Sequence, residues 1–463
     1  MANGRPSERV RVPAPLIRTR LPSGRGATEQ PNVTSDGEVS LTPRFWAAIV
    51  AAGVVAGLFG DLMMALLFAV EHAAFGYHSG SFESGVLHAS AGRRVLALAC
   101  GGVFGGLAWY GLRRYTKGER SDVDDAVWEG GGVLSFRRSL GTAVISEAVV
   151  GSGASLGREA APKLMAGAGA SVLAVWFRLT TPQRRLLVAC AAGAGLAAVY
   201  NVPLGGALFV AEVLWGAVSI PVILPALACT SVATVTAWIY LPVRAVYPGV
   251  PAYPMHASLL VWALPAGAVL GLFSSAYIRV IGWVSHHRIR GVPSIVAVPA
   301  VMIALGLVGI VYPQLFGNGK DMAASAFAGT GAAGLLFALG VLKPVVTAAC
   351  LGTGASGGLL TPTMSTGAVL GGFLGLEWAH LWPGTAPGAF AVVGAAAMLG
   401  AAMQAPLAGL ALVVELTHTG FAVMVPMMLA TVVATLVARA IDGYSIYSAR
   451  LPALASEPSP DQG

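Results

Sequence analysis

The sequence predicts an all-α polytopic membrane protein built from two structurally related halves of tilted and broken helices. Of its 463 residues, 56% are hydrophobic and only 11% are charged, whereas soluble domains carry about 25% charged residues. Apolar runs of roughly 20 residues, the length that crosses a bilayer as a helix, recur from Trp46 to about Val437. Glycine-rich breaks interrupt these runs at matching places in the two halves, a pattern typical of transporters with a site near the bilayer midplane.

The N-terminal tail differs in composition from the rest of the chain. It is polar and Pro-rich, and we expect it to be disordered. Its arginines are Arg5, Arg9, Arg11, Arg18, Arg20 and Arg25. A basic tail before a first spanning helix predicts a cytoplasmic N-terminus in the inner (plasma) membrane, because positive loops stay on the cytoplasmic side. The net charge of +7 reflects this bias, with arginine pairs beside the spans, and it does not indicate nucleic-acid binding.

Two pairs of motifs repeat in the same order in the two halves. The break Gly151–Pro162 returns as Gly352–Pro362, and Asn201–Glu212 returns as Gln404–Glu415. Chance similarity between alanine-rich helices can account for one such match, but not readily for two in register. Membrane repeats of this kind are often inverted, and we expect inversion here.

The repeat sets the expected domain boundaries. The Pro-rich loop Pro242–Pro254 lies between the two copies. In chain order we predict a disordered tail over residues 1–42, a first membrane repeat over 43–250, a second over 251–450 and a short C-terminal tail over 451–463.

Glu159 lies inside the first break, where its charge is the most informative single feature of the chain. A carboxylate at membrane depth is costly unless it is paired, protonated or facing water, so intramembrane carboxylates are usually functional. Each break and each Pro-Leu-x-Gly segment should open a helix. Helix N-termini carry unpaired N–H groups and a partial positive charge. Several of them meeting at the midplane predict an anion site.

The motifs around these positions resemble those of the CLC family of chloride channels and chloride/proton exchangers. Gly157-Arg158-Glu159 is similar to the family's G-R/K-E-G-P segment, and Ala191–Glu212 to its long glycine- and alanine-rich stretch ending in P-x-x-G-x-L-F-x-x-E. Gly357–Pro362 resembles G-G-x-F-x-P, and Tyr447 falls at the family's pore tyrosine. The resemblance runs from about Phe45 to Ala449 and is closest to the bacterial type without C-terminal regulatory domains.

The resemblance implies a CLC-type homodimer with one pore per subunit. The backbone N–H groups of Leu359 and Leu360, with the Tyr447 hydroxyl, would hold a central anion. Amides around Arg158, Glu159 and Ala160 would hold an outer one. Glu159 would be the gate, because its carboxylate can occupy the outer site and leaves it when protonated.

Three departures from the family pattern affect these expectations. The position after Glu212, where exchangers often carry an inner glutamate, is Val213. The family's G-S-G-I-P segment, whose serine contacts the central anion, has no clean counterpart here. Ser121, which we expect to cap a helix within an acidic run, is our candidate for that serine. Ala160 replaces the glycine after the gate glutamate, and Lys163 follows closely, either adding positive charge or pairing structurally.

Three further glutamates lie within apolar helices. Glu147, twelve residues before Glu159, is a candidate proton relay in place of the missing inner glutamate, or else pairs with a basic group or faces water. We interpret Glu212 and Glu415 as structural residues that end half-helices and accept backbone hydrogen bonds.

Transport is the function that these features predict, and the protein is not expected to be an enzyme. We favour a passive chloride channel gated by Glu159 protonation, with a chloride/proton antiporter using a non-standard inner proton site as the alternative. A transporter of larger organic anions and a fluoride transporter stay open. An intramembrane serine protease using Ser356 with His380 or His418 is a remote alternative. The isolated cysteines indicate buried apolar residues rather than a metal site, and we expect no cofactor, with chloride as the transported ligand.

Overall fold

A computed structural model of the chain describes residues 39–451. Within this range the regular structure is helical, and the β-type pairing consists of one isolated antiparallel bridge between Gly157 and Gly358. The predicted all-α class is confirmed. The predicted tails, apart from residues 39–42 and residue 451, lie outside the described residues, and the predicted domain boundaries stay a prediction.

The first half of the described chain contains nine helices. They are α1 (Pro43–Phe75), α2 (Phe82–His88), α3 (Ala91–Tyr115), α4 (Val123–Trp128), α5 (Phe136–Gly151), α6 (Ala160–Trp176), α7 (Thr181–Tyr200), α8 (Pro203–Phe209) and α9 (Ile220–Ala237). A π-helical segment, Val210–Trp215, continues α8.

The second half continues with eight helices within the described range. They are α10 (Ala257–His286), α11 (Pro293–Val311), α12 (Lys320–Phe327), α13 (Ala333–Gly352), α14 (Leu360–Ala379), α15 (Pro387–Met403), α16 (Pro406–Thr417) and α17 (Met424–Ile441). Short 3₁₀ turns occupy Pro313–Leu315, Phe421–Val423 and Ser448–Arg450.

Seven helices of residues 39–451 are long and apolar enough to cross a membrane: α1, α3, α9, α10, α11, α13 and α17 with its preceding turn. On α1, the apolar side chains of Val50, Leu58 and Leu62 are exposed, as expected for a surface in contact with lipid. The apolar helices α6, α15 and α16 are shorter. The chain is therefore a polytopic membrane protein in which full-length spans surround broken helices.

The two breaks meet at the Gly157–Gly358 bridge. Each of these glycines donates its N–H to the carbonyl of the other, at 2.7 Å. The hydroxyl of Ser146 donates to the carbonyl of Ser356 at 2.7 Å. At the equivalent positions of the other half, the hydroxyls of Ser155 and Thr347 lie 3.3 Å apart. Equivalent pairs of residues thus meet on both sides of the bridge, through different atoms, as expected for a two-fold relation between the halves.

The Pro-Leu-x-Gly segments begin helices, as predicted: α8 starts at Pro203 and α16 at Pro406. The helix before each segment ends at a residue in the left-handed region, Asn201 with φ 56° and Gln404 with φ 54°. Such a residue reverses the chain direction at a helix C-terminus. This places a new helix start immediately after a buried helix in each half.

Glu212 and Glu415 accept backbone hydrogen bonds, which confirms their predicted role, and they do so across the halves. Glu415, near the end of α16, accepts the N–H groups of Leu204 and Gly205 at the start of α8, at 3.0 and 2.6 Å. Glu212 accepts those of Leu407 and Ala408 at the start of α16, at 3.3 and 2.6 Å. Because each helix end meets the other helix start, the equivalent helices run antiparallel, as inverted repeats do.

Small residues allow the central helices to approach closely. Every residue of α15 from Gly388 to Met403 is buried. A Cβ at Gly367 of α14 would lie 2.6 Å from the Gly394 carbonyl oxygen of α15, and the reverse distance is also 2.6 Å. Such contacts between backbones hold helices together where lipid supplies no hydrophobic driving force.

Candidate functional site

The Glu159 carboxylate lies at the first turn of α14. It is 5% exposed, and its Oε1 accepts the N–H of Leu360 at 2.8 Å. Its Oε2 accepts the Tyr200 hydroxyl at 2.9 Å and the Thr361 hydroxyl at 3.3 Å. The first N–H groups of a helix have no partner within the helix. The carboxylate therefore occupies a position that any small anion could also take.

Two glycines make room for this carboxylate. A Cβ added at Gly157 or at Gly358 would overlap the Glu159 side chain. The same two residues form the bridge between the breaks. Glycine at both positions is what allows the carboxylate to lie between the halves.

The position of the carboxylate differs from the expectation. We expected it at the outer site, on the amides of Arg158, Glu159 and Ala160, but it accepts the N–H of Leu360, which we assigned to the central site. The physical reason is that Glu159 precedes α6, which starts at Ala160. From there its side chain reaches across the bridge to the free N–H at the start of α14.

A cavity of about 60 Å³ adjoins the carboxylate, well above the roughly 10–15 Å³ that one water molecule needs. It brings together most of the predicted anion-site residues: Ser121, Glu159, Ala160, Leu359, Leu360 and Tyr447. Arg158 is not among its lining residues, and its guanidinium lies over the Tyr200 ring, 5.2 Å from the centroid.

Lys163 and Asp124 bring opposite charges to the cavity wall. The Lys163 Nζ lies 3.0 Å from Asp124 Oδ1 and 5.0 Å from the centroid of the Tyr447 ring. Both alternatives for Lys163 are therefore present, an ion pair and a positive charge beside the site. Asp124 belongs to α4, outside the membrane-spanning helices, and burial raises the pKa of its carboxyl while the Lys163 charge lowers it.

Ser121 lines the cavity but is not the helix cap that we predicted. The cap of α4 is Asp122, whose Oδ1 accepts the N–H groups of Asp124 and Asp125 at 3.0 and 3.3 Å. A charged carboxylate also interacts favourably with the partial positive charge of a helix N-terminus. The Ser121 hydroxyl instead accepts the Arg138 Nε–H at 3.1 Å.

Glu147 is fully buried, so it does not face water, which was one of the alternatives that the sequence left open. It does not line the cavity. Its helix α5 begins beside Ser121, where Arg138 bonds that residue, and ends at Gly151, which packs against Leu67 near the C-terminal end of α1. Glu147 therefore lies away from the cavity, and its role as a proton relay stays a prediction.

Tyr200 and Thr361 were missed by the sequence analysis, although both donate hydrogen bonds to Glu159. Their hydroxyls are also 2.6 Å apart. The available signal was their position: Tyr200 precedes Asn201, and Thr361 stands beside Pro362 in the second break. Each is a hydroxyl-bearing residue next to a predicted helix start.

The geometry does not support the protease hypothesis. Ser356 lines the cavity, and neither His380 nor His418 does. His380 follows the last residue of α14. At 1.5 Å per residue, this end of the helix is about 30 Å from the start of α14, near which Ser356 lies. A nucleophile and its base must lie within hydrogen-bond reach.

The cysteines agree only in part with the expectation. Cys190, Cys229 and Cys350 are buried, whereas Cys100 is exposed on α3. In the part of the chain that the structure describes, no cluster of three or more His, Cys, Asp or Glu side chains is arranged to hold a metal ion.

Comparisons with known proteins agree with this architecture. The chain is 35% identical over 372 residues to the "Putative chloride channel protein ClcB-like" of Ralstonia nicotianae, covering 77% of this chain and 85% of the relative. It is 30% identical over 332 residues to the "H(+)/Cl(-) exchange transporter ClcA" of Yersinia pestis, covering 69% of this chain and 67% of the relative.

A solved structure shares the fold. The crystal structure of a slow cyanobacterial Cl-/H+ antiporter superposes with a TM-score of 0.77 at 21% identity, covering 88% of this chain and 97% of the other. The sequence model described as "Voltage gated chloride channel" matches residues 101–439. The chain therefore belongs to the voltage-gated chloride channel family, the CLC family.

Proposed function

We propose that this chain exchanges chloride for protons across the inner (plasma) membrane of a bacterium, with its N-terminus in the cytoplasm. The observation that carries the proposal is the hydrogen bond from Leu360 N–H to Glu159, at 2.8 Å. A carboxylate on that amide and a chloride ion compete for one site. Binding of a proton to Glu159 and binding of chloride to the pore are then linked.

The mechanism follows from this competition. As a carboxylate, Glu159 accepts charge-assisted hydrogen bonds, which are roughly twice as strong as neutral ones. Protonation removes the charge, weakens the bond to Leu360 and allows the side chain to leave. Chloride then takes the free N–H at the start of α14, where the helix dipole favours an anion. When chloride leaves, the deprotonated side chain returns.

The cavity residues supply the rest of the anion site in this proposal. The N–H groups of Leu359 and Leu360 and the Tyr447 hydroxyl hold the central anion, and Ser121 completes the wall on its far side. Lys163 adds positive charge that its ion pair with Asp124 moderates, so that the anion is attracted but can still leave. The backbone amides of residues 158–160 form the outer site.

A passive channel is the second candidate function. The sequence analysis favoured a channel, because Val213 stands where exchangers often have a carboxylate. The ClcB-like relative from Ralstonia nicotianae is also named a channel. The position of Glu159 on the central amide favours exchange, because a side chain that occupies the anion's own site links proton binding to anion movement.

Purified protein in liposomes tests the two candidates. A chloride gradient is imposed without a proton gradient, the voltage is clamped and the external pH is followed. Uphill proton movement supports the exchanger. Chloride efflux without proton movement supports the channel. Competition of fluoride and of larger organic anions with chloride flux tests the substrate class.

The proposed assembly is a homodimer with one pore in each subunit. This rests on membership of the family. The molar mass of the protein in detergent, measured by light scattering with the detergent contribution subtracted, tests it. The mass of a single chain would contradict it.

A further inference from the structure

Glu147 is a buried carboxyl group without a hydrogen-bond partner. Its exposure is 0%, and neither Oε1 nor Oε2 has a hydrogen-bond partner in the structure of residues 39–451. By contrast, the Glu159 carboxylate accepts three hydrogen bonds. An ionised carboxylate that is isolated from water and from donors is very unfavourable, and such a group takes up a proton instead. The environment of Glu147 therefore suits the neutral acid.

The charged groups around Glu147 come from two elements. Arg158 and Glu159 belong to the first break, and Glu71 belongs to α1. α3 and α6 also pack against α5. α3 presents Gly105 to Val149 and Gly101 to Ser152, and α6 presents Ala161 and Met165 to the apolar cluster around Ala143. These contacts bring no charge to the site. Glu147 thus lies among two other carboxyl groups and one guanidinium.

This cluster lies on the side of Glu159 away from the anion cavity. Glu71 stands one turn before the C-terminal end of α1 and accepts the Tyr77 hydroxyl at 3.1 Å. Ser121, which lines the cavity, follows the C-terminal end of α3, whereas Arg93 at the start of α3 donates to the Ala73 and Ala74 carbonyls at the end of α1. Arg158 acts on both Glu71 and Glu147. Glu147 therefore lies between Glu159 and the α1 C-terminal side of the molecule.

We propose that Glu147 is a proton-transfer residue that holds a proton at rest and passes it between Glu159 and the Glu71 side of the protein. In the transfer, the O–H bond of Glu147 breaks and one forms on a Glu159 carboxylate oxygen, so that the two groups exchange protonation states. Arg158 stabilises the Glu147 carboxylate until a proton arrives from the Glu71 side. The inference rests on the proposed role of Glu159 as the proton acceptor.

The test uses full-length protein in liposomes and the substitution Glu147→Gln, which keeps the shape but cannot carry a proton. We expect proton flux to fall roughly 100-fold, the usual effect of losing a positioned proton-transfer group. The rate at which acid on the Glu71 side activates chloride flux should fall by the same factor. Glu147→Asp should restore part of it. Glu377→Gln, which changes an exposed glutamate at the end of α14, should leave both rates unchanged.

Infrared difference spectra give a second readout that does not depend on transport. At neutral pH, the wild type should show a protonated carboxyl C=O band that Glu147→Gln lacks. If Glu147→Gln does not fold, the comparison of the carboxyl band in the wild type with that in Glu147→Asp still shows whether the band belongs to Glu147. A band that survives the substitution, or unchanged proton delivery in a folded Glu147→Gln protein, overturns the proposal. Failure of the proposed exchange looks different: the wild type then moves chloride without protons, while the band is still present.

Discussion

The Glu159 carboxylate uses the same donors that we assign to the transported anion. It binds the Leu360 N–H through Oε1 and two hydroxyls through Oε2. A bond to a charged group contributes about 1.5–3 kcal/mol, against about 0.5–1.5 kcal/mol for a neutral one. The charge on this one side chain is thus enough to decide whether the site is blocked.

Glu159→Gln should therefore open the pore at neutral pH. The amide has the size of the protonated acid, and loss of the charge weakens the bond to Leu360 by about 1.4 kcal/mol, roughly tenfold in occupancy. We expect chloride efflux from liposomes to rise by about that factor and proton movement to disappear. Unchanged efflux together with an unchanged response to pH would show that Glu159 is not the gate.

Gly358→Ala tests the space around the carboxylate. The added Cβ would overlap the Glu159 side chain, which must leave the Leu360 amide. We expect chloride flux that no longer depends on pH. Gly334→Ala is the matched control, because a Cβ at this position of α13 has open space around it. Normal pH dependence in a folded Gly358→Ala protein would contradict the position that we describe for the carboxylate.

The sequence predicted Glu159 as a site residue but not all of its contacts. Glu159 was predicted because a charge inside an apolar run is visible in the sequence, whereas Leu360 and Tyr447 were expected only from the resemblance to the family. Tyr200 was missed because a tyrosine at the end of a buried helix has the same pattern whether its hydroxyl is bonded to a carboxylate or not. The side on which Glu147 lies was also not predictable, because it depends on which end of α5 meets α1.

The helix starts α8 and α16 are held by glutamates of the opposite half. Each carboxylate accepts two N–H groups at a helix N-terminus, where a negative charge is favourable. These contacts connect the halves at a second place, apart from the bridge between the breaks. The two helices that begin with the Pro-Leu-x-Gly segments, α8 and α16, thereby hold each other in position.

Glu212→Gln and Glu415→Gln should each destabilise the protein by on the order of 1 kcal/mol, the usual cost of losing a charged helix cap. The loss should be similar in the two variants because the two contacts are equivalent. It is measured as the free energy of unfolding in detergent, with Glu377→Gln as the control. A large loss in one variant and none in the other would mean that the two caps are not equivalent.

The helix starts were predictable because proline acts locally. Pro203 and Pro406 each occupy the first position of a helix, where the missing N–H has no consequence. The π-helical segment Val210–Trp215 was not predicted. Its hydrogen bonds differ from those of an α-helix by one residue, and the apolar pattern does not report that difference.

The two halves are joined in sequence by a loop that is exposed around Gly249 and in space by the central contacts. Gly249 lies in this loop with open space around it. Other residues of the loop are anchored on the second half: the Tyr247 N–H donates to the Leu416 carbonyl at 3.0 Å and the Tyr253 hydroxyl donates to the Phe327 carbonyl. The sequence predicted the repeat and its inversion, but not which residues meet, because the Gly157–Gly358 contact joins positions 201 residues apart.

A protein cut at Gly249 should stay assembled and active. A protease site inserted there and cleaved in the membrane should leave both fragments bound to each other, because the bridge and the reciprocal caps remain. We expect chloride flux within about twofold of the uncut protein, since cuts at exposed loop tips are well tolerated. Fragments that separate in mild detergent would show that the loop, rather than the packing, holds the halves.

The reciprocal caps also bear on the origin of the fold. When residue i of one unit contacts residue j of another and j contacts i, the interface has the symmetry of a two-fold homodimer. The caps have this form, so an ancestral gene for a single half could have assembled as a pair. In such a pair both breaks would carry the same residue at this position, whereas here Leu360 stands at the position equivalent to Glu159. Divergence at this one position after duplication leaves a single carboxylate at the bridge and an opposite backbone N–H that receives it.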